Sequence, residues 1–207
     1  MNKLSSNNMT DAIETIEYRG KTIEIFQDVD TENPRKEWDN LGVIACKHSR
    51  YELGDKEHDI DFDETDESLD KQMARFPVTL PLYLYDHSGI TMNTTGFSCE
   101  WDSGQVGFIY ATSEAIKENF NVKRISKKLL AEVTKILVGE IETYDKYLTG
   151  EVFGYDTGDD SCWGYFDREQ LLDDAKGSID FDLEQERKAK IKKTKAKIKN
   201  NVPLINR

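Results

Sequence analysis

Three histidines and three cysteines are the residues of this 207-residue chain best suited to nucleophilic or metal chemistry. Cys99 or Cys46 has the thiol, His87 the imidazole that would take its proton, and Asp86 or Asp102 the carboxylate that would orient the ring, and the neighbourhood of Asp86, His87, Cys99 and Asp102 is the candidate site of a small enzyme. The spacing places no thiol beside His87, and a hydrogen-bonding role for a turn histidine is the simpler reading. Cys46, His48, His58, His87 and Cys99 also invite a zinc reading. There is no Cys-x-x-Cys pair, and Cys46-Lys47-His48 leaves a single residue between its candidate ligands. No metal is expected. Asp59, Asp61, Asp63 and Asp70 fall at positions one, three, five and twelve of a calcium loop, but Glu64 stands where the sharp turn needs Gly, and Asp66 where an apolar anchor belongs. No phosphate-binding loop or dinucleotide fingerprint occurs, and no cofactor is expected.

Charge is a stronger signal than any catalytic motif. The chain has 40 acids and 28 Lys plus Arg, a net charge of −12. All 40 acids lie before residue 187; residues 187–207 hold nine bases and no acid. Residues 52–70 carry ten acids against Lys56 alone, and a block this acidic is expected to stay a solvated loop unless a cation or a basic partner neutralises it. Such a body repels free nucleic acid and attracts basic surfaces. Asp59, Asp61, Asp63, Glu64, Asp66 and Glu67 are accordingly candidate partner contacts, with Tyr83 and Trp101 as aromatic anchors. Lys188, Lys190, Lys192, Lys193, Lys195 and Lys197 form the opposite case, a basic arm that is either a solvated helix or a nucleic-acid contact. The segments Thr94–Gln105 and Ser161–Tyr165 are aromatic, Gly-containing loops of the composition that lines pockets, although Trp101 and Trp163 read more simply as core.

The elements that must position these residues follow from periodicity. Ile13 to Phe26 alternates about Arg19-Gly20-Lys21, a hairpin; Gly42–Cys46 is a short buried strand; Phe76–Tyr85 is β-rich, with two prolines that confine its first half to an edge. Asp86-His87-Ser88-Gly89 turns into Ile90–Met92, and Gln105–Ala111 is a further strand ending at a Thr112 or Ser113 cap. Ser126 opens a helix whose stripe Leu129, Val133, Leu137, Ile141, Tyr144 and Leu148 lies on one face, with Gly150 as its end. A hairpin over 151–166 follows, then a helix capped by Asp167 and closed by Gly177. The fold class is α+β, a mainly antiparallel sheet packed by two or three helices, with a Lys-rich C-terminal helix. The organisation expected is a flexible leader over 1–12, one domain over 13–178 with the acidic loop at 52–70, and a charged helix or tail over 179–207. No apolar run approaches the 18 residues of a membrane span, the first residues lack the apolar core of a secretory signal, and an odd number of scattered cysteines is no disulfide framework. A reduced, cytoplasmic protein is expected.

Three phrases carry a resemblance: Glu37-Trp38-Asp39-Asn40-Leu41-Gly42 with the following His48 and Arg50–Asp55; Leu80–Ile90 through Trp101–Gly107; and Glu142–Gly150. Together they resemble a family of small, mostly uncharacterised acidic proteins carried by bacteriophages, prophages and plasmids. The resemblance implies a bacterial host cytoplasm and an accessory role that blunts host defence; it carries over no catalytic residues. The expectation is an anti-CRISPR or antirestriction-like inhibitor of a host nucleic-acid-targeting protein or ribonucleoprotein complex, acting by acidic mimicry of nucleic acid. The alternatives are the small enzyme, or a nucleic-acid accessory protein acting through the basic arm.

Overall fold

In a computed structural model, the described residues are 11–62, 66–99 and 101–201, with the side chains of 66, 67 and 199–201 left aside. In chain order the elements are β1 (Glu14–Tyr18), β2 (Lys21–Gln27), α1 (Pro34–Glu37), β3 (Val43–Cys46), α2 (Asp66–Met73), β4 (Val78–Asp86), β5 (Ile90–Asn93), β6 (Ser103–Ala111), α3 (Ser113–Asn119), α4 (Lys127–Thr149), β7 (Phe153–Asp156), β8 (Ser161–Tyr165) and α5 (Arg168–Asn201). The strands form two antiparallel sheets, β1-β2-β7-β8 and β3-β6-β4-β5. This is the α+β class that the alternation and stripes lead to. The chain divides into two compact units, one built from both ends (up to Val29 and from Val152) and one from Asp30–Glu151.

In the unit of the two ends, Arg19 and Gly20 turn β1 into β2, both at positive φ (51° and 78°). That pair of left-handed residues matches the twist of a two-residue hairpin. Ile23, Ile25 and Tyr155 point to one face of this sheet and bury against Leu171, Ala175 and Ile179 of α5. Asp167 caps α5, accepting from the Glu169 and Gln170 N–H groups at 2.8 and 3.0 Å. The helix does not close at Gly177 but runs unbroken for 34 residues. Ile179 is buried and Leu183 packs beside it, so tertiary contact beyond the glycine outweighs glycine's intrinsic cost of about 1 kcal/mol.

In the Asp30–Glu151 unit, α4 lays Val133, Leu137, Ile141 and Tyr144 on one face of the β3-β6-β4-β5 sheet, against Ile44, Leu82, Leu84, Met92 and Ile109. Ser126 caps the helix through Leu129 N–H, and Gly150 ends it at φ 75°. The first half of β4 pairs with β6 alone, because β5 reaches only Tyr83–Asp86. Pro81 therefore sits on a half-edge, as a residue without an N–H requires. The opposite face of the sheet carries Ala45 and Tyr110, and here the acidic segment departs from a solvated loop. Ile60, Phe62, Leu69, Met73 and Phe76 pack onto that face, and the Phe76 and Tyr110 rings stack at 3.9 Å. The apolar residues interleaved among the carboxylates supply the burial that repulsion alone would deny. No helix of the described residues is long and apolar enough to cross a membrane.

Candidate functional site

The candidate site is the outer face of the β3-β6-β4-β5 sheet and the acidic segment fixed along it. At the start of that segment, Asp55 is held by Arg35, whose side chain is only 2% exposed. Asp55 Oδ2 accepts from Arg35 Nη2 at 2.6 Å and from Ile44 N–H at 2.8 Å, and Oδ1 accepts from Arg35 Nε at 3.1 Å. Arg35 Nη1 donates to Glu140 Oε2 at 2.9 Å, while Glu140 Oε1 accepts Leu41 N–H at 2.7 Å. Burial opposes the guanidinium charge, but the two carboxylates outweigh it and hold the Arg35 pKa above its ordinary value. The knot ties α1, β3, the segment and α4 together. Beyond it, Gly54 N–H donates to Tyr144 Oη at 3.1 Å and Asp59 N–H to Tyr110 Oη at 3.1 Å. Asp61 N–H donates to Gln72 Oε1 at 2.9 Å, closing the segment on α2.

Asp59, Asp61 and Asp70 are exposed on this pinned segment; Asp63 and Glu64 lie outside the described residues, as do the side chains of Asp66 and Glu67. Asp70 stands inside α2 rather than in a calcium loop. Beside the segment runs a groove of about 730 Å³, floored by Pro81, Tyr83 and Phe108 and walled by Phe62, Leu69 and Asp70. It continues past Tyr83 and Gln105 into a hollow of about 430 Å³ that reaches Phe97. Asn93 holds the loop beyond, its Oδ1 accepting the Thr95 and Gly96 N–H groups at 3.0 and 2.7 Å, and Phe97 lies 5.6 Å from the Tyr85 ring. Tyr83 is thus central to the groove. Trp101, expected in the core, is 96% exposed on the loop before β6, and Trp163 is also exposed. A sequence reading weighs indole size toward burial, whereas Trp101 is followed by the polar Asp102 and Ser103 and then Gly104, and stands out from the surface.

The residues considered for catalysis do come together. Asp102 Oδ2 lies 3.5 Å from His87 Nδ1 and 3.7 Å from Cys99 Sγ, on a shallow surface beside a 330 Å³ hollow lined by His48, Arg50, Asp86 and Trp101. The carboxylate stands between thiol and imidazole. In a nucleophile–base relay the imidazole must stand between, where it can take the thiol proton. His87 is 63% exposed, with its imidazole beside Asp102 and its ring tilted 6.2 Å from that of Tyr85, so the order of the three groups does not build that relay. Asp86 is engaged by Arg50 and by Tyr51 Oη. Cys46 is half-buried against the core, and desolvation, with the Asp55 charge adding, pushes its thiol up to about 12, a packed thiol rather than a nucleophile. His48 stacks on Tyr51 at 5.1 Å and His58 meets Phe62 edge-on. Among the described residues no three His, Cys, Asp or Glu side chains gather as metal ligands would.

The basic arm is the exposed half of α5. Lys188, Lys190, Lys192, Lys193, Lys195 and Lys197 are all exposed there; Lys188 pairs with Glu184 at 2.8 Å and Lys190 with Glu186 at 3.4 Å.

What sequence reasoning missed is Arg35 and Glu140, which secure the segment, and the Phe62, Phe97 and Phe108 rings that shape the groove. The signal for Arg35 was faint: a lone arginine after a helix-starting Asn-Pro, ahead of a phrase dense in carboxylates. No protein-family model, curated protein or solved structure matches the chain.

Proposed function

We propose that this chain is a mobile-element anti-defence protein that binds a basic surface of a host nucleic-acid-targeting complex and inhibits it by occupying the path of the nucleic acid. The observation that carries the reading is the acidic segment pinned beside an aromatic groove. A mimic of nucleic acid must hold its negative charges at fixed positions, since charges on a flexible loop pay ordering entropy on binding. Here Asp55 is locked by Arg35, and Ile60, Phe62 and Met73 anchor the stretch that displays Asp59, Asp61 and Asp70. Basic grooves that bind phosphates release counterions when filled, and carboxylates draw on the same driving force. Tyr83 and Phe108 in the groove supply apolar area, which charge alone does not give. Trp101, protruding from the loop before β6, is a second anchor of the type that dominates protein interfaces.

The test is inhibition of purified effectors, a CRISPR nuclease and restriction enzymes, with this protein titrated against cleavage of a labelled DNA. Inhibition is expected, competitive with added nucleic acid and weakened by salt. Replacing Asp59, Asp61, Asp63, Glu64, Asp66 and Glu67 by their amides should raise the inhibitory concentration at least tenfold, with circular dichroism unchanged. Inhibition that survives this neutralisation, or no inhibition of any such enzyme, removes the proposal.

A further inference from the structure

Among the described residues, α5 is anchored only through its first half. Leu171, Ala175 and Ile179 are buried and Leu183 packs beside them, whereas every residue from Glu184 to Ile198 is exposed. An unsupported helical extension of this size is marginal in water, and like charges four apart on a helix destabilise it further. Lys188 and Lys190 are offset by Glu184 and Glu186, but Lys192, Lys193, Lys195 and Lys197 make no ion pair among the described residues.

Their angular placement is not random. At about 100° per residue, Lys188, Lys192 and Lys195 fall within ~60° of one another. Lys190, Lys193 and Lys197 likewise fall within ~60°, centred on the opposite side of the helix. Between the two rows, on one flank, lie Ala189 and Ala196, roughly 90° from each row; Ile191 and Ile198 occupy the other flank. The helix therefore carries a cation row to the left and to the right of a small-residue edge. A B-form major groove is about 12 Å wide and admits a helix of 10–12 Å diameter. A helix entering it by the alanine edge brings one lysine row to each phosphate strand, and the alanine methyls reach the floor without steric penalty. The major groove of A-form RNA is too deep and narrow for the same fit.

We propose that the exposed half of α5 binds double-stranded DNA in the major groove, straddled by its two lysine rows. The inference deepens the anti-defence reading, because a partner offering both a basic protein surface and duplex DNA would engage both charged regions of this chain. The chemistry is phosphate neutralisation without base selectivity: lysine ammoniums are point charges, and alanine edges read little beyond a thymine methyl.

The experiment is fluorescence-anisotropy binding of the full chain to a mixed-sequence DNA duplex, an RNA duplex of the same sequence and a single strand, across salt. With four to six phosphates neutralised, log K against log salt should fall with a slope of about −4 to −5, on the order of 10³-fold weaker between 50 and 200 mM salt. The RNA duplex should bind at least tenfold more weakly than DNA. Lys188→Gln/Lys192→Gln/Lys195→Gln and Lys190→Gln/Lys193→Gln/Lys197→Gln should each cut the slope by about half, since Gln keeps helix propensity and removes charge. Ala196→Glu should abolish binding by placing a carboxylate on the inserted edge. No DNA binding at 50 mM salt overturns the proposal, and so does binding that both row variants leave intact. Dependence on one row only, or equal binding of RNA and DNA, overturns the straddling geometry. None of these measurements involves the acidic segment, so amides at 59, 61, 63, 64, 66 and 67 should not weaken DNA binding, and failure here leaves effector inhibition as a separate result.

Discussion

Replacing Arg35 by Met tests whether the acidic segment is held by a buried charge knot. The guanidinium makes four contacts: Asp55 twice at 2.6 and 3.1 Å, Glu140 at 2.9 Å, and the Gly42 carbonyl at 2.6 Å. Hydrogen bonds to charged groups contribute about 1.5–3 kcal/mol each, but removing the guanidinium also strips two largely buried carboxylates of their counter-charge. Breaking a buried pair from one side costs about 3–5 kcal/mol. That is a large share of the ~5–15 kcal/mol that holds a typical domain together. The backbone N–H groups of Ile44, Leu41 and Gly42 still donate to the carboxylates, which argues for the lower half of that range. Urea unfolding at neutral pH, followed by tyrosine and tryptophan fluorescence, should show this loss. Adding Asp55→Asn and Glu140→Gln to Arg35→Met should restore at least half of it, because the uncompensated charges are then gone. A loss below about 1 kcal/mol, or one that the neutral triple variant does not reduce, refutes the reasoning.

Gly177→Ala should stabilise the protein by about 0.5–1 kcal/mol, measured by thermal unfolding, because the helix runs through this position and a Cβ there meets open space. The half-buried Cys46 thiol makes stability fall at high pH. Its folded pKa of about 12 lies above the ordinary 9.0, so the contribution is intact below about pH 8 and is lost as pH rises from 9 to 12, up to ~4 kcal/mol in all. Cys46→Ala should flatten that limb of the stability–pH curve relative to the parent, while buried Tyr110 and Tyr144, also raised by burial, leave a residual slope above pH 10.

Much of this architecture is written in local patterns. The Ser126 cap, the stripe from Leu129 to Leu148 and the Gly150 end define α4 by short-range rules, and Pro77 before β4 and Pro81 within it announce the half-edge. Gly177 misled because propensity is local, whereas the burial of Ile179 is decided by a sheet whose strands come from both ends of the chain. The acidic segment misled for a related reason. Its ten carboxylates dominate composition, while the apolar Ile60, Phe62, Leu69 and Met73 fit no single period and become meaningful only when Ala45 and Tyr110 present a surface. Cys99, Asp102 and His87 could be named from the chain but not their arrangement: which of the three polar groups stands in the middle is a tertiary fact. The lysines of α5 were countable in sequence; that they form two opposed rows needed the helix to continue past Gly177.

The nested order of the chain has a consequence for its biogenesis. Strand β2 finds its partner β7 only after the whole stretch Asp30–Glu151 has left the ribosome, on the order of ten seconds later at bacterial elongation rates. During that wait the nascent β1–β2 hairpin exposes Ile23, Ile25 and Phe26 with nothing from downstream to cover them, whereas the intervening unit holds all its own strands and can condense first. Ribosome-bound intermediates arrested once Glu151 has emerged, but before Val152–Tyr165 has, should therefore already resist protease over Asp30–Glu151 while remaining cleavable over 11–29. Strand β7 and helix α5, made after that unit, then recruit the waiting hairpin.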